Sequence, residues 1–276
     1  MEEKFVTKKS LGQHFLNSDT VPRWLADAAN IEKGETVVEI GPGTGALTKE
    51  LLVRGAKVVA LETDARAIEY LEKNFSDHLS SGEFTVVDSD VRQLDLGDLG
   101  LLDRGFKIVA NIPYYLSGYL FRSCLSGKIQ PKSLVFLVQK EVAKRATTNL
   151  ERGEKESLLS LSIKAFGEPL YIRSVSRGHF TPPPKVESGI VLVQNINRNN
   201  FKDLPEDFFF KILHLGFGQK RKQLLGNLAH NYAREELENV FKKLDLEPNV
   251  RAEDLSLESW LQLTKELENT KEKSAE

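Results

Sequence analysis

Between about residue 21 and residue 145 the apolar positions fall into two alternating patterns. Short runs at Thr36–Ile40, Lys57–Leu61, Phe84–Val87 and Phe106–Ala110, and a fifth before Gln139, have the length of buried strands. Between them lie segments with helical spacing, such as 46–54, where Leu47, Leu51 and Leu52 share a face. This alternation predicts βα units and a parallel sheet. Later runs at Tyr171–Val175 and Ile190–Val193 flank the Pro-rich stretch Phe180–Pro184 and predict an antiparallel pair at the sheet edge. From about residue 200 the spacing is helical, with segments near 205–216, 219–231, 234–244 and 256–268. Phe208, Phe209 and Phe210 are expected in the core of that helical region, and Asn195–Asn200 marks its boundary. The charged stretch Asn269–Glu276 is expected to be disordered.

The residues that end these runs carry the candidate chemistry. Asn111-Ile112-Pro113-Tyr114 directly follows Phe106–Ala110. These residue types suit a planar base with an exocyclic amine. The Asn111 side-chain oxygen and the carbonyl before Pro113 can accept two N–H bonds, and Tyr114 offers a π-face. Pro113 fixes the turn and removes a competing donor. Asn and Pro also end ordinary strands for local backbone reasons, and taken alone the turn fits either reading equally. Upstream, Glu39-Ile40-Gly41-Pro42-Gly43-Thr44-Gly45 closes the first run and opens a helical segment at Ala46. Glycines at a strand-to-helix turn let the backbone approach a ligand closely. Gly41, Gly43 and Ala46 also satisfy the loose dinucleotide pattern, so a nicotinamide or flavin enzyme stays open on the glycines. Glu62, about 20 residues on, ends the second run where a carboxylate can take both ribose hydroxyls. Asp90 follows the third run and Asn111 the fourth. A ligand crevice along the carboxyl edge of a parallel sheet requires such an arrangement.

With these motifs in this order, the chain resembles the S-adenosylmethionine-dependent ribosomal RNA adenine N6-methyltransferases, most closely the bacterial small-subunit adenine dimethyltransferases. The resemblance runs nearly the full length. It takes in Gly12-Gln13-His14-Phe15-Leu16, Gln139-Lys140-Glu141-Val142-Ala143, Phe180-Thr181-Pro182-Pro183-Pro184-Lys185-Val186, Gln219-Lys220-Arg221-Lys222 and Arg251-Ala252-Glu253-Asp254. The glycine loop is shared by many methyltransferases, whereas the ordered set is specific. His14 is a departure, since some members carry Asn there; both side chains hydrogen-bond. The implied α/β fold is a Rossmann-like class I methyltransferase domain, a mostly parallel seven-stranded sheet with helices on both faces, followed by a small all-helical C-terminal domain. Residues 1–20 would form a flexible arm over the cofactor, 21–198 the methyltransferase domain, 199–268 a helical RNA- and ribosome-binding domain, and 269–276 the tail.

The resemblance also implies roles. S-adenosyl-L-methionine is the methyl donor and S-adenosylhomocysteine the product. His14 and Leu16 close over the ligand, Gly41 and Gly43 approach it, Glu62 takes the ribose, Asp90 meets the adenine amine, and Asn111 lies where cofactor and target meet. Asn111, Pro113 and Tyr114 hold the acceptor base, with Phe180 covering its opposite face. The implied reaction gives N6,N6-dimethyladenosine at two adjacent adenines in a loop near the 3′ end of 16S rRNA within the small (30S) ribosomal subunit. One alternative is a 23S rRNA adenine methyltransferase conferring macrolide resistance, which shares the Asn-Ile-Pro-Tyr turn. Another is a binding protein that serves mainly as a subunit-assembly checkpoint.

Composition changes this picture little. With 38 basic and 40 acidic side chains in 276 residues, net charge is -2, so RNA contact has to rest on local patches. Lys220, Arg221 and Lys222, with Lys185 and nearby Arg173, Arg177 and Lys211, are the candidate patch; taken alone, the triplet reads more readily as a solvated helix start. Gln139-Lys140-Glu141 either caps a helix or lies near the target loop. The single Cys124 excludes an internal disulfide and reads as a small residue facing a helix interior. Five scattered His residues show no metal-ligand spacing, and no metal is expected. No stretch reaches membrane-spanning length, and the acidic N-terminus lacks a signal-peptide pattern, which predicts a cytoplasmic protein. A monomer is expected, since no apolar surface helix is left over.

Overall fold

A computed structural model describes residues 15–93 and 95–275. The described residues pack as two units, one from those within 15–144 with Gly167–Ile196, the other from Arg145–Phe166 with 197–275.

In the first unit the described residues form two sheets. Strands β1 (Phe15–Leu16), β2 (Thr36–Ile40), β3 (Lys57–Glu62), β4 (Phe84–Asp88), β5 (Phe106–Asn111), β6 (Ser133–Gln139), β7 (Glu168–Val175), β8 (Phe180–Thr181) and β9 (Ser188–Gln194) follow in chain order. Seven of them make one sheet in the order β4-β3-β2-β5-β6-β9-β7. β2 to β6 are parallel, and β9 runs antiparallel to both β6 and β7. The expected antiparallel pair therefore exists, with β7 at the edge. The inner strands are apolar without alternation because helices cover both faces: Ile108, Val109 and Ala110 of β5 and Leu134–Val138 of β6 are all fully buried. Helices α1 (Thr20–Ala29), α2 (Ala46–Val53) and α3 (Ala65–Asn74) supply Val21, Leu25, Leu51 and Leu71 to this core. They are followed by α4 (Ser76–Ser81), α5 (Ser117–Ser126) and α6 (Lys140–Ala146). Cys124 lies buried on α5, where burial pushes its thiol up to about 12, so it stays protonated and unreactive. β2 pairs with β3 on one side and β5 on the other, so successive connections diverge there and leave a crevice at the carboxyl ends.

The second small sheet pairs β1 with β8, Phe15 against Thr181 and Leu16 against Phe180. Asn17 extends the joint: its N–H donates to the His179 carbonyl at 3.0 Å and its Nδ2 to the Gly178 carbonyl at 2.9 Å. The arm is thus tied to the Pro-rich stretch through backbone pairing.

The second unit contains α7 (Leu158–Lys164), α8 (Glu206–Gly216), α9 (Leu224–Leu228), α10 (Arg234–Lys243) and α11 (Leu257–Ala275). Segment 145–166, which its position in sequence assigns to the first domain, packs here instead. Glu156 is buried and carries a Lys164 ammonium and the Thr148 and Ser160 hydroxyls, while its N–H donates to the Glu253 carbonyl at 2.9 Å. Asp254 accepts the Arg251 N–H at 3.0 Å and pairs with Lys155. Arg251-Ala252-Glu253-Asp254 is therefore a staple between segments about a hundred residues apart. Phe166 stacks on Phe210 with centroids 5.8 Å apart, and Phe201 joins them. Phe209 and Phe210 are buried but Phe208 is only partly so, because three consecutive helical residues span too wide an arc to share one face. The helix expected near 219–231 is confined to α9, with Gln219–Lys222 in a turn. The chain past Asn269, expected to be disordered from its charge, continues as α11 through Ala275; Glu, Lys and Ala are strong helix formers and extend a helix already nucleated by packing. Among the described residues no helix is long and apolar enough to cross a membrane.

Candidate active site

The crevice is a cavity of about 190 Å³ lined by the residues that follow β2, β3, β4 and β5, with Phe15 and Leu16 of the arm. Gly41 and Gly43 have φ of 68° and 57°, a left-handed backbone that favours glycine. They differ in what a side chain would meet. A Cβ on Gly43 would stand 2.7 Å from Cε1 of Phe15, whereas among the described residues beyond its chain neighbours nothing lies within 4 Å of that position on Gly41. Gly41 lines the cavity with none of these described residues over it.

Glu62 ends β3 at the cavity wall, buried, with Oε2 accepting the Gly43 N–H at 3.2 Å and Oε1 those of Thr63 and Asp64 at 2.8 and 3.0 Å. The Thr63 and Asp64 N–H groups fill the acceptor sites of Oε1, Oε2 keeps one open, and the backbone bonds hold the group still. Asp90 is gripped by Arg92, whose Nη2 lies 2.5 Å from Oδ2 and whose Nε reaches both oxygens. That guanidinium holds the Asp90 carboxyl below the usual carboxylate range. The sequence pattern did not single out Arg92 as a partner.

Glu39 is a second residue the pattern left without a role. It lies in β2, 1% exposed, accepts the Thr48 hydroxyl at 2.6 Å and lines the cavity floor. Burial pushes its carboxyl up to about 8, Thr48 opposes this by hydrogen bonding, and the nearby Glu62 adds to it. A glutamate inside an otherwise apolar run was the available signal.

Asn111, the last residue of β5, lines the same cavity with Ile112, Pro113 and Tyr114. Tyr114 is half-buried, and its hydroxyl lies 2.6 Å from that of Ser188 in β9. Of the residues expected here, Leu16, Gly41, Gly43, Glu62, Asp90, Asn111, Pro113 and Tyr114 are brought together. His14 lies outside the described residues. Phe180 is not among the described residues lining the cavity. It is 2% exposed in the core cluster with Val175 and Ile190, and its backbone pairs with Leu16. Its ring anchors the arm, and covering a base would require it to leave that core. Lys185 is exposed in the first unit, and Lys220, Arg221 and Lys222 are exposed in the second. Arg173 is engaged over the Trp24 ring, 3.9 Å from its centroid. Lys140 is joined to the stretch before β9, Nζ to Glu187 Oε2 at 2.6 Å and N–H to the Glu187 carbonyl at 2.9 Å, which gives the Gln139-Lys140-Glu141 motif a place beside the Pro-rich loop.

A mostly parallel seven-stranded sheet with its cavity at the divergence of β2 and β5, and a glycine turn and carboxylate along that edge, defines a Rossmann-like methyltransferase. Residues 4–269 match the family model described as ribosomal RNA adenine dimethylase, and the chain belongs to that family. It is 37% identical over 258 residues to the ribosomal RNA small subunit methyltransferase A of Dehalococcoides mccartyi (strain CBDB1), covering 93% of this chain and 87% of the relative. Among solved structures it resembles a dimethyladenosine transferase from Plasmodium falciparum, with TM-score 0.77, 27% identity and coverage of 94% of this chain and 98% of the other. The 23S rRNA methyltransferase ErmE, with TM-score 0.70, 23% identity and coverage of 92% and 99%, shares the fold. Family membership implies S-adenosylmethionine as methyl donor. The cavity offers such a ligand the Gly41 backbone and the carboxylates of Glu62 and Asp90.

Proposed function

We propose that the enzyme transfers methyl groups from S-adenosylmethionine to the N6 amines of two adjacent adenines in a loop near the 3′ end of 16S rRNA, giving N6,N6-dimethyladenosine in the assembling small subunit. The observation that carries this reading is the Asn111-Ile112-Pro113-Tyr114 turn in the same cavity as Glu62 and Asp90. The curated relatives' naming for the small subunit supports the choice of RNA.

Bound S-adenosylmethionine supplies an activated methyl group on a sulfonium. Glu62 would hold the ribose, Asp90 the adenine amine, the Gly41 backbone the methionine part, and Leu16 with the arm would cover the ligand. An adenine exocyclic nitrogen is a poor nucleophile because its lone pair is delocalised into the ring. Acceptors at Asn111 and the Ile112 carbonyl favour the pyramidal amine, in which that pair is available, and so stabilise the transition state more than the ground state. Tyr114 offers the stacking face, worth roughly 1–3 kcal/mol and tolerant of sequence. Alignment of the amine for in-line transfer supplies much of the remaining rate enhancement. The target base has to be unstacked to enter, so a loop adenine is the fitting substrate. Lys185, Lys220, Arg221 and Lys222 would contact the RNA backbone.

Tritiated methyl transfer to unmodified small and large ribosomal subunits, followed by nucleoside analysis, tests the reading. Dimethyladenosine confined to small-subunit rRNA is expected; label in the large subunit, or in neither, would overturn it.

A further inference from the structure

Tyr114 and Ser188 are 74 residues apart, and the sheet order explains why they meet. Tyr114 follows β5. The next strand is β6, and beyond it β9 runs in the opposite direction. The first residue of β9, Ser188, therefore pairs with Gln139, the last residue of β6, and stands at the carboxyl edge that also carries the Asn111–Tyr114 turn. The phenol crosses the end of β6 to reach it, oxygen to oxygen at 2.6 Å. Ser188 is fully buried, with Val175 of β7 on its other side. The residue before it is held by Lys140 through side chain and backbone. Ser188 is thus a rigid post. Tyr114 sits on a short helical turn after Pro113.

We propose that Ser188 is a positioning residue for methyl transfer, fixing through its hydrogen bond the direction of the Tyr114 side chain that receives the acceptor base. The inference rests on reading Tyr114 as that base's platform. An aromatic side chain can take more than one staggered rotamer about its Cα–Cβ bond, and each points the ring in a different direction. A hydroxyl anchored at the far end of the ring removes that freedom before the base arrives, which is the kind of preorganisation that supports catalysis. Burial pushes the Tyr114 phenol above its ordinary range, so the partner of Ser188 is the neutral hydroxyl at any working pH.

The test is a double-mutant cycle on the full-length enzyme with unmodified small subunits. Ser188→Ala and Tyr114→Phe should each lower kcat/KM about 3- to 10-fold, the loss expected for one neutral hydrogen bond. The double variant should fall no further than Tyr114→Phe, and cofactor affinity should stay at the wild-type value in all three. A readout free of activity comes from carbon-13 labelling of tyrosine Cζ. Among the six tyrosines the Tyr114 signal is the one missing in Tyr114→Phe, and it should move in Ser188→Ala while the others hold. Multiplying losses in the double variant, or an unmoved Tyr114 signal, would overturn the proposal. If Ser188→Ala fails to fold, Tyr114→Phe decides, because it removes the same bond and leaves the serine in place; wild-type kcat/KM in that variant would overturn the inference. If wild-type enzyme methylates neither subunit yet the Tyr114 signal still responds to Ser188→Ala, the substrate reading fails and the hold on the ring stands.

Discussion

Replacing Glu39 with glutamine should stabilise the protein at neutral pH, by an amount that grows with pH. The carboxyl is 1% exposed, accepts the Thr48 hydroxyl and faces Glu62 across the cavity floor. In the folded protein it keeps its proton up to about 8, whereas an ordinary glutamate in the unfolded chain loses it near 4.5. Its folded pKa is raised, so between these values the folded state binds more protons, and stability falls as pH rises. Each pH unit in that window costs about 1.4 kcal/mol, which comes to about 3 kcal/mol by pH 7 and levels off above about pH 8. Glutamine keeps an acceptor for Thr48 and has no proton to lose. Urea denaturation of both proteins at pH 5, 6, 7 and 8 would show the stability difference widening towards pH 8. A difference that stays constant across this range would refute the assignment of a protonated Glu39, because the other titrating groups are common to both proteins.

Glu62→Ala should raise the dissociation constant for S-adenosylmethionine about 10- to 100-fold, read by calorimetry, from the loss of a charged hydrogen-bond acceptor; unchanged affinity would remove Glu62 from the ligand. Replacing Lys220, Arg221 and Lys222 with alanine should weaken RNA binding and flatten the slope of log affinity against log salt by about 2, given roughly 0.7–0.9 per phosphate contact. An unchanged slope would make the triplet a solvated surface. Gly216→Ala would place a Cβ 2.3 Å from Cη2 of Trp260 and 2.8 Å from Cδ1 of Leu224. Overpacking there should cost about 1–3 kcal/mol in thermal or urea unfolding, and wild-type stability would show that Trp260 yields freely.

Most of the sheet and its ligand edge was legible in the chain, because each is a local property. The five parallel strands are short apolar runs, and Gly41, Glu62, Asp90 and Asn111 each end one or follow it within two residues. A parallel sheet delivers all its strand ends to the same edge, so reading the runs was enough to assemble the crevice. Helix periodicity likewise located α8 and α10 to within a residue or two. What local pattern could not supply were pairings made across the chain. Phe180 looks in sequence like a free aromatic in a proline-rich loop, and only the fold buries it, in the core with Val175 and Ile190. Segment 145–166 reads as a continuation of the first domain until Glu156 and Lys155 meet Glu253 and Asp254. Glu39 shows in sequence only as a glutamate inside an apolar run; its elevated proton affinity comes from burial, which excludes water, and from Glu62, which β3 brings alongside. Ser188 reaches Tyr114 because β9 is antiparallel to β6, a choice of strand direction that no nearby residue encodes. Residue type and spacing determined the elements and what each strand presents at its end; burial and long-range register decided which of those groups touch, and therefore which are held still and which keep their protons.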